Sequence, residues 1–151
     1  MMCQLIGDYM WKIVDDFAEE AVKQGLEFEI MGPLEAERFH HGLLAKFGKS
    51  KAGWPLWDGP SDFVSVQDEL AWRWIGGWIE DEACVLLWDP ASERRALRFA
   101  KGRSLISLLE CVYGTEFYVT DDSMSYMICF NHHDYLIAAG RATEWLKQHP
   151  R

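Results

Sequence analysis

The sequence predicts an α+β fold, a single domain over residues 1–151 with a mainly antiparallel sheet and helices packed largely on one face. Apolar residues recur at helical spacing over 5–24, 33–47 and 104–113. Two pairs of short apolar runs, 83–88 with 95–100 and 116–120 with 125–130, are joined by connections too short for a parallel crossover. Helices and strands are also intermixed along the chain, which suits one mixed domain. With 49% hydrophobic and 14% aromatic residues in a chain of 151, there is enough apolar surface to offset chain entropy.

In chain order, Ile6, Tyr9, Met10, Ile13, Val14, Phe17 and Ala21 mark one face of a first helix, 5–24. Its other face carries the acid-first pairs Asp8/Lys12 and Glu19/Lys23, and Gly25 ends it. Leu26 to Ile30 alternates apolar with acidic residues, as a short strand with one wet face at a sheet edge does. Pro33 suits the first turn of a second helix through Phe47, stopped by Gly48, that would bury Leu34, Phe39, Leu43, Leu44 and Phe47 and carry His40 and His41. Residues 48–61 form a loop pinned by Trp54 and Trp57.

Residues 63–66 are a brief strand or the approach to a helix over 69–79, in which Ala71, Ile75 and Ile79 and the pair Trp74 and Trp78 make two apolar rows despite Gly76 and Gly77. The unbroken apolar run 83–88 reads as a central, two-sided strand. Ser104 is the expected cap of a helix to Tyr113 that buries Leu105, Ile106, Leu108, Leu109 and Val112, with Gly114 as its stop. Asp121-Asp122-Ser123 then turns a hairpin. After Asn131-His132-His133-Asp134, the spacing of Leu136, Ile137, Ala139, Thr143, Trp145 and Leu146 predicts a final helix, capped by Asn131 or Asp134. Val85, Leu87, Phe117, Val119, Met127, Ile128, Leu136 and Trp145 are expected in a single core.

Charge is more telling by position than by total. Residues 1–37 hold nine acids against Lys12 and Lys23, a net of −7 within a chain whose total is −9. Such a field repels phosphate backbones and anionic lipid, so a basic protein is the expected partner, and nucleic acid and membrane are not. Partner-binding candidates are Asp15, Asp16, Glu19 and Glu20 on the first helix and Trp54 and Trp57 in the aromatic loop. Cys3, Cys84, Cys111 and Cys129 show neither CxxC nor zinc-site spacing and read as reduced thiols. No apolar run approaches the roughly 18 residues of a membrane helix, and acid appears early where a signal peptide would have a basic start, so a cytoplasmic location is expected.

The corner Asn131-His132-His133-Asp134 offers the ligand types of a zinc or iron site, with His132, His133 and Asp134 as metal candidates. Adjacent histidines on a regular strand or helix diverge, so the spacing favours a structural corner in which one His hydrogen-bonds across it. No bound metal or cofactor is expected.

The stretches EFYVTDD, YMICFNHHDYLIAAG and ATEWL, with WPLW and VQDELAW, resemble a family of small, uncharacterised bacterial cytoplasmic proteins over the C-terminal two-thirds of the chain. That resemblance implies a single bacterial domain and transfers no catalytic residue. In composition the chain is similar to the immunity proteins that neutralise bacterial toxins. The leading expectation is a protein-binding module of toxin-neutralising or regulatory type that uses an acidic, Trp-rich surface. The alternative is a metal-dependent enzyme at the 131–134 corner, and the oligomeric state is left open.

Overall fold

The computed structural model describes residues 12–48, 53–56, 63–112 and 114–149. Among these, seven strands form one antiparallel sheet: β1 (Phe28–Met31), β2 (Val64–Gln67), β3 (Cys84–Leu87), β4 (Ala96–Phe99), β5 (Phe117–Thr120), β6 (Tyr126–Phe130) and β7 (Tyr135–Gly140). Their spatial order is β1-β4-β3-β5-β6-β7-β2. The helices are α1 (Ile13–Lys23), α2 (Pro33–Phe47), α3 (Ile75–Ile79), which follows a 3₁₀ turn at Ala71–Trp74, α4 (Ser104–Cys111) and α5 (Thr143–Gln148). The mainly antiparallel α+β architecture expected from the short connections is the one observed. No helix among the described residues is long and apolar enough to cross a membrane.

Both faces of the sheet are buried. Cys84, Leu86, Leu97, Phe99, Phe117, Val119, Ile128, Leu136 and Ala138 pack on one side against α1, α3, α4 and α5. Val85, Leu87, Tyr118, Met127, Cys129, Ile137 and Ala139 pack on the other side against Ala36, Phe39, Leu43 and Phe47 of α2. The expected single core is therefore corrected to two. Val85, Leu87 and Met127 belong to the α2 side, while Phe117, Val119, Ile128, Leu136 and the half-buried Trp145 belong to the other. The cause is the period of two: a strand with apolar residues at every position feeds two layers at once.

The same period overturns the final helix. Residues 135–140 are β7, paired with β6 from Phe130↔Leu136 to Tyr126↔Gly140 and with β2 from Gln67↔Tyr135 to Val64↔Ala138. Leu136, Ile137, Ala138 and Ala139 are all buried, and an unbroken buried run carries no strand period to tell it from a helix. Helix returns only in α5. Asn131 thus caps a turn, not a helix: its Oδ1 accepts from the backbone N–H of His133 at 3.0 Å and of Tyr135 at 3.1 Å. Asp134 takes the left-handed conformation, φ +63°, that closes the corner. β2 is settled as a strand because β7 offers it an edge to pair with.

Other departures are local. Ser104 is the first residue of α4 and makes no capping hydrogen bond; Arg103 holds the cap position. Gly76 is tolerated inside α3 because α4 passes close by, where a Cβ on Gly76 would lie 2.6 Å from Cγ1 of Ile106. Helix α1 is held from a distance. Glu93, in the β3–β4 turn, has 0% exposure and accepts from the backbone N–H of Val14 in the first turn of α1 at 3.1 Å. Arg95 Nη2 supports that carboxylate at 3.0 Å and reaches Asp15 through Nη1 at 2.9 Å.

Replacing Asn131 by Ala should lower unfolding free energy by about 1 to 3 kcal/mol, because two N–H groups lose their acceptor, whereas His132→Ala should stay within about 0.5 kcal/mol. Glu93→Ala should cost about 3 kcal/mol, having removed the buried partner of Arg95 and the cap of α1 together. Urea titrations followed by tryptophan fluorescence measure all three.

Candidate functional site

Helix α2 carries two stripes. Ala36, Phe39, Leu43 and Phe47 face the sheet, while Leu34, Glu37, His41 and Leu44 run along the flank three or four residues apart. Leu34, expected in the core, is instead 87% exposed, because it falls on the second stripe. That flank forms one wall of a cleft of about 580 Å³ whose lining also includes His40, Gly53 and Trp54 from the loop, and Pro90 and Arg94 from the β3–β4 turn. This volume lies in the range of small-ligand and side-chain pockets.

His40 is the polar group built into this cleft. It is 5% exposed, and its Nε2 lies 2.9 Å from the carbonyl oxygen of Trp88. A carbonyl only accepts, so Nε2 carries the hydrogen and, in the neutral ring, Nδ1 holds a lone pair. Burial pushes the imidazole below its ordinary range, against the Trp88 hydrogen bond and the charge of Asp89, which favour protonation. Trp54 meets His40 edge-on at 5.5 Å between ring centroids and Tyr118 at 4.7 Å, which fixes its indole against the α2-side core. Glu37 contacts His41 at 3.5 Å, an exposed pair that contributes little.

The other candidates are dispersed. Asp15 is paired with Arg95, Glu19 lies 3.7 Å from Lys23, and Glu20 accepts from Gln24 at 3.1 Å, which holds its carboxyl below the usual range. Asp16 is exposed on α1. Because α1 and Trp54 pack on opposite faces of the sheet, the acidic helix and the aromatic loop do not form one surface. Trp57 lies outside the described residues. Part of the N-terminal acid surplus is also spent internally. Arg98 contacts Glu29, Glu35 at 3.5 Å and Asp122 at 2.6 Å, and this ring of carboxylates raises its pKa.

At the 131–134 corner, His132 donates through Nδ1 to Glu116 Oε2 at 2.9 Å, and its backbone N–H donates to the same oxygen at 3.2 Å. The turn, unlike a strand or helix, brings the His132 and His133 rings to 3.9 Å. His132 remains 64% exposed in its side chain, and among the described residues no group of three His, Cys, Asp or Glu could hold a metal ion. The described thiols are poor nucleophiles: burial pushes Cys84 up to about 12 and Cys129 well above its ordinary value, and Cys111 is raised by desolvation and by Glu20. A second cleft, of about 550 Å³, has Trp72, Leu109, Val112, Phe117 and Phe130 in its lining and the Arg73–Glu110 pair, 3.4 Å apart, at its edge.

Compared with family models, with curated proteins and with solved structures, the chain matches none.

The buried imidazole predicts a pH dependence. The unfolded chain protonates His40 near the ordinary value of about 6.5, while the folded chain resists until a lower pH. As pH falls below about 6.5 the unfolded state therefore gains protons first, and stability is lost. Glu37, His41, Asp89 and Arg94 are the titratable groups around the ring and the cleft and stay in place in His40→Gln. Urea midpoints from pH 7.5 to 5, in steps of about half a unit, should fall less steeply in that variant than in the parent chain.

Proposed function

We propose that the chain is a protein-binding module of the toxin-neutralising or regulatory kind, acting in the cytoplasm on a basic protein, with the α2 flank as its contact surface. The observation that carries this reading is the cleft rim. Leu34 stands 87% exposed and lines the cleft together with Pro33, Leu44, Trp54, Pro90 and Glu37. A large apolar side chain set at the mouth of a concave site next to a half-buried Trp suits an interface anchor, and the carboxylate suits a basic partner. The net charge of −9 adds long-range attraction for such a partner.

Capture with the immobilised chain, followed by surface-plasmon kinetics, tests this. The captured protein should be basic, Leu34→Asp should weaken it at least tenfold, and raising salt from about 50 to about 500 mM should slow association more than it speeds dissociation. A partner whose association rate ignores salt, or whose affinity is unchanged by Leu34→Asp, counts against it.

A further inference from the structure

We propose that the cleft beside α2 binds the guanidinium of an arginine side chain, with Nδ1 of His40 and the carboxylate of Glu37 as its acceptors and Trp54 as its apolar wall. This rests on the reading of the chain as a module for a basic partner and names the group that the partner presents.

The acceptors come first. Nε2 of His40 is committed to the Trp88 carbonyl, so the remaining ring nitrogen has a lone pair, and among the described residues nothing donates to it. A neutral imidazole held by a backbone carbonyl is a fixed acceptor, oriented before any ligand arrives. Glu37 lies three residues earlier on the same helix, within reach of the same ligand. Its contact with His41 is long and exposed on both sides, so a ligand displaces it at little cost.

The acceptors also select the ligand. A carboxylate or phosphate would meet a lone pair and a like charge, and both repel it. A primary ammonium could satisfy either acceptor as a point charge, whereas a planar guanidinium donates from several edges at once and lies flat against an indole. Arg94 also lines the cleft and repels a second guanidinium, which favours an approach from the α2 side, by Leu34 and Glu37. A cleft of about 580 Å³ leaves room for the peptide segment on either side of the arginine.

The test uses the whole chain and N-acetyl-arginine methylamide as probe, followed by amide NMR, with the lysine and glutamate analogues as controls. The arginine probe should shift signals of residues 33–44, Trp54 and 88–90 saturably, at about millimolar affinity, with the lysine probe several-fold weaker and the glutamate probe silent. His40→Leu removes Nδ1 and should weaken the arginine probe at least fivefold, whereas His40→Gln keeps an N–H for the Trp88 carbonyl and an acceptor in its Oε1 and should weaken it less. Glu37→Gln, an exposed change that leaves the fold untouched, should weaken it as much as His40→Leu does. Equal response to the three probes, shifts elsewhere on the chain, or undiminished binding by Glu37→Gln overturns the assignment. A captured basic protein that binds His40→Leu as tightly as the parent chain removes this site and leaves the module reading standing. Selective arginine binding with no basic protein captured supports the site and removes the module reading.

Discussion

Burial of the sheet on both faces is the constraint from which the rest follows. The strands β3, β5, β6 and β7 must be apolar at successive positions, and each face then needs its own cover. One face receives α1, α3, α4 and α5, while the other has α2 and the loop at Trp54. A single helix cannot span that face, and the cleft lies where its cover meets the loop and the β3–β4 turn. His40 sits at this boundary, half core residue and half cleft wall. The carbonyl it binds belongs to Trp88, one residue beyond the end of β3, where the ladder no longer supplies a partner.

Charge placement obeys the same economy of position. Counted along the sequence, residues 1–37 are a strong anionic segment. In the fold, β4 and the turn before it feed cations back into that segment: Arg95 meets Asp15, and Arg98 meets Glu29 and Glu35. What reaches solvent as uncompensated charge is smaller than the count suggests. The Arg98 cluster is partly exposed, so its worth is modest in water, but it fixes β1, α2 and the β5–β6 turn relative to β4.

Much of the fold was legible in the sequence wherever one face of an element is wet. Helix α2 is bounded at Pro33 and Phe47 by proline and glycine signals, while the alternation over 26–30 marks an edge strand whose observed bounds are Phe28–Met31 and whose Ile30 is exposed. Legibility failed where both faces are dry. Tyr135 to Gly140 has no polar beat to betray its period, so its spacing reads as helix although it is a strand. The candidate site was legible only in pieces. Trp54 was visible as an aromatic in a loop, and His40 as one of an adjacent pair, but their meeting depends on a loop folding back over α2. The one local clue was Leu34, which breaks the 36, 39, 43, 47 series that the buried stripe requires. Long-range pairings such as Glu93 with Val14 leave no mark on periodicity at all.

That last contact bears on the order in which the chain can be assembled during synthesis. Helix α1 is translated early, yet the acceptor for its Val14 N–H is 79 residues downstream. Until the segment carrying Glu93 has left the ribosome, the helix lacks both its cap and the sheet face that buries Val14, Phe17 and Ala21. The commitment of α1 therefore follows that of the β3–β4 turn and the sheet face that cover it.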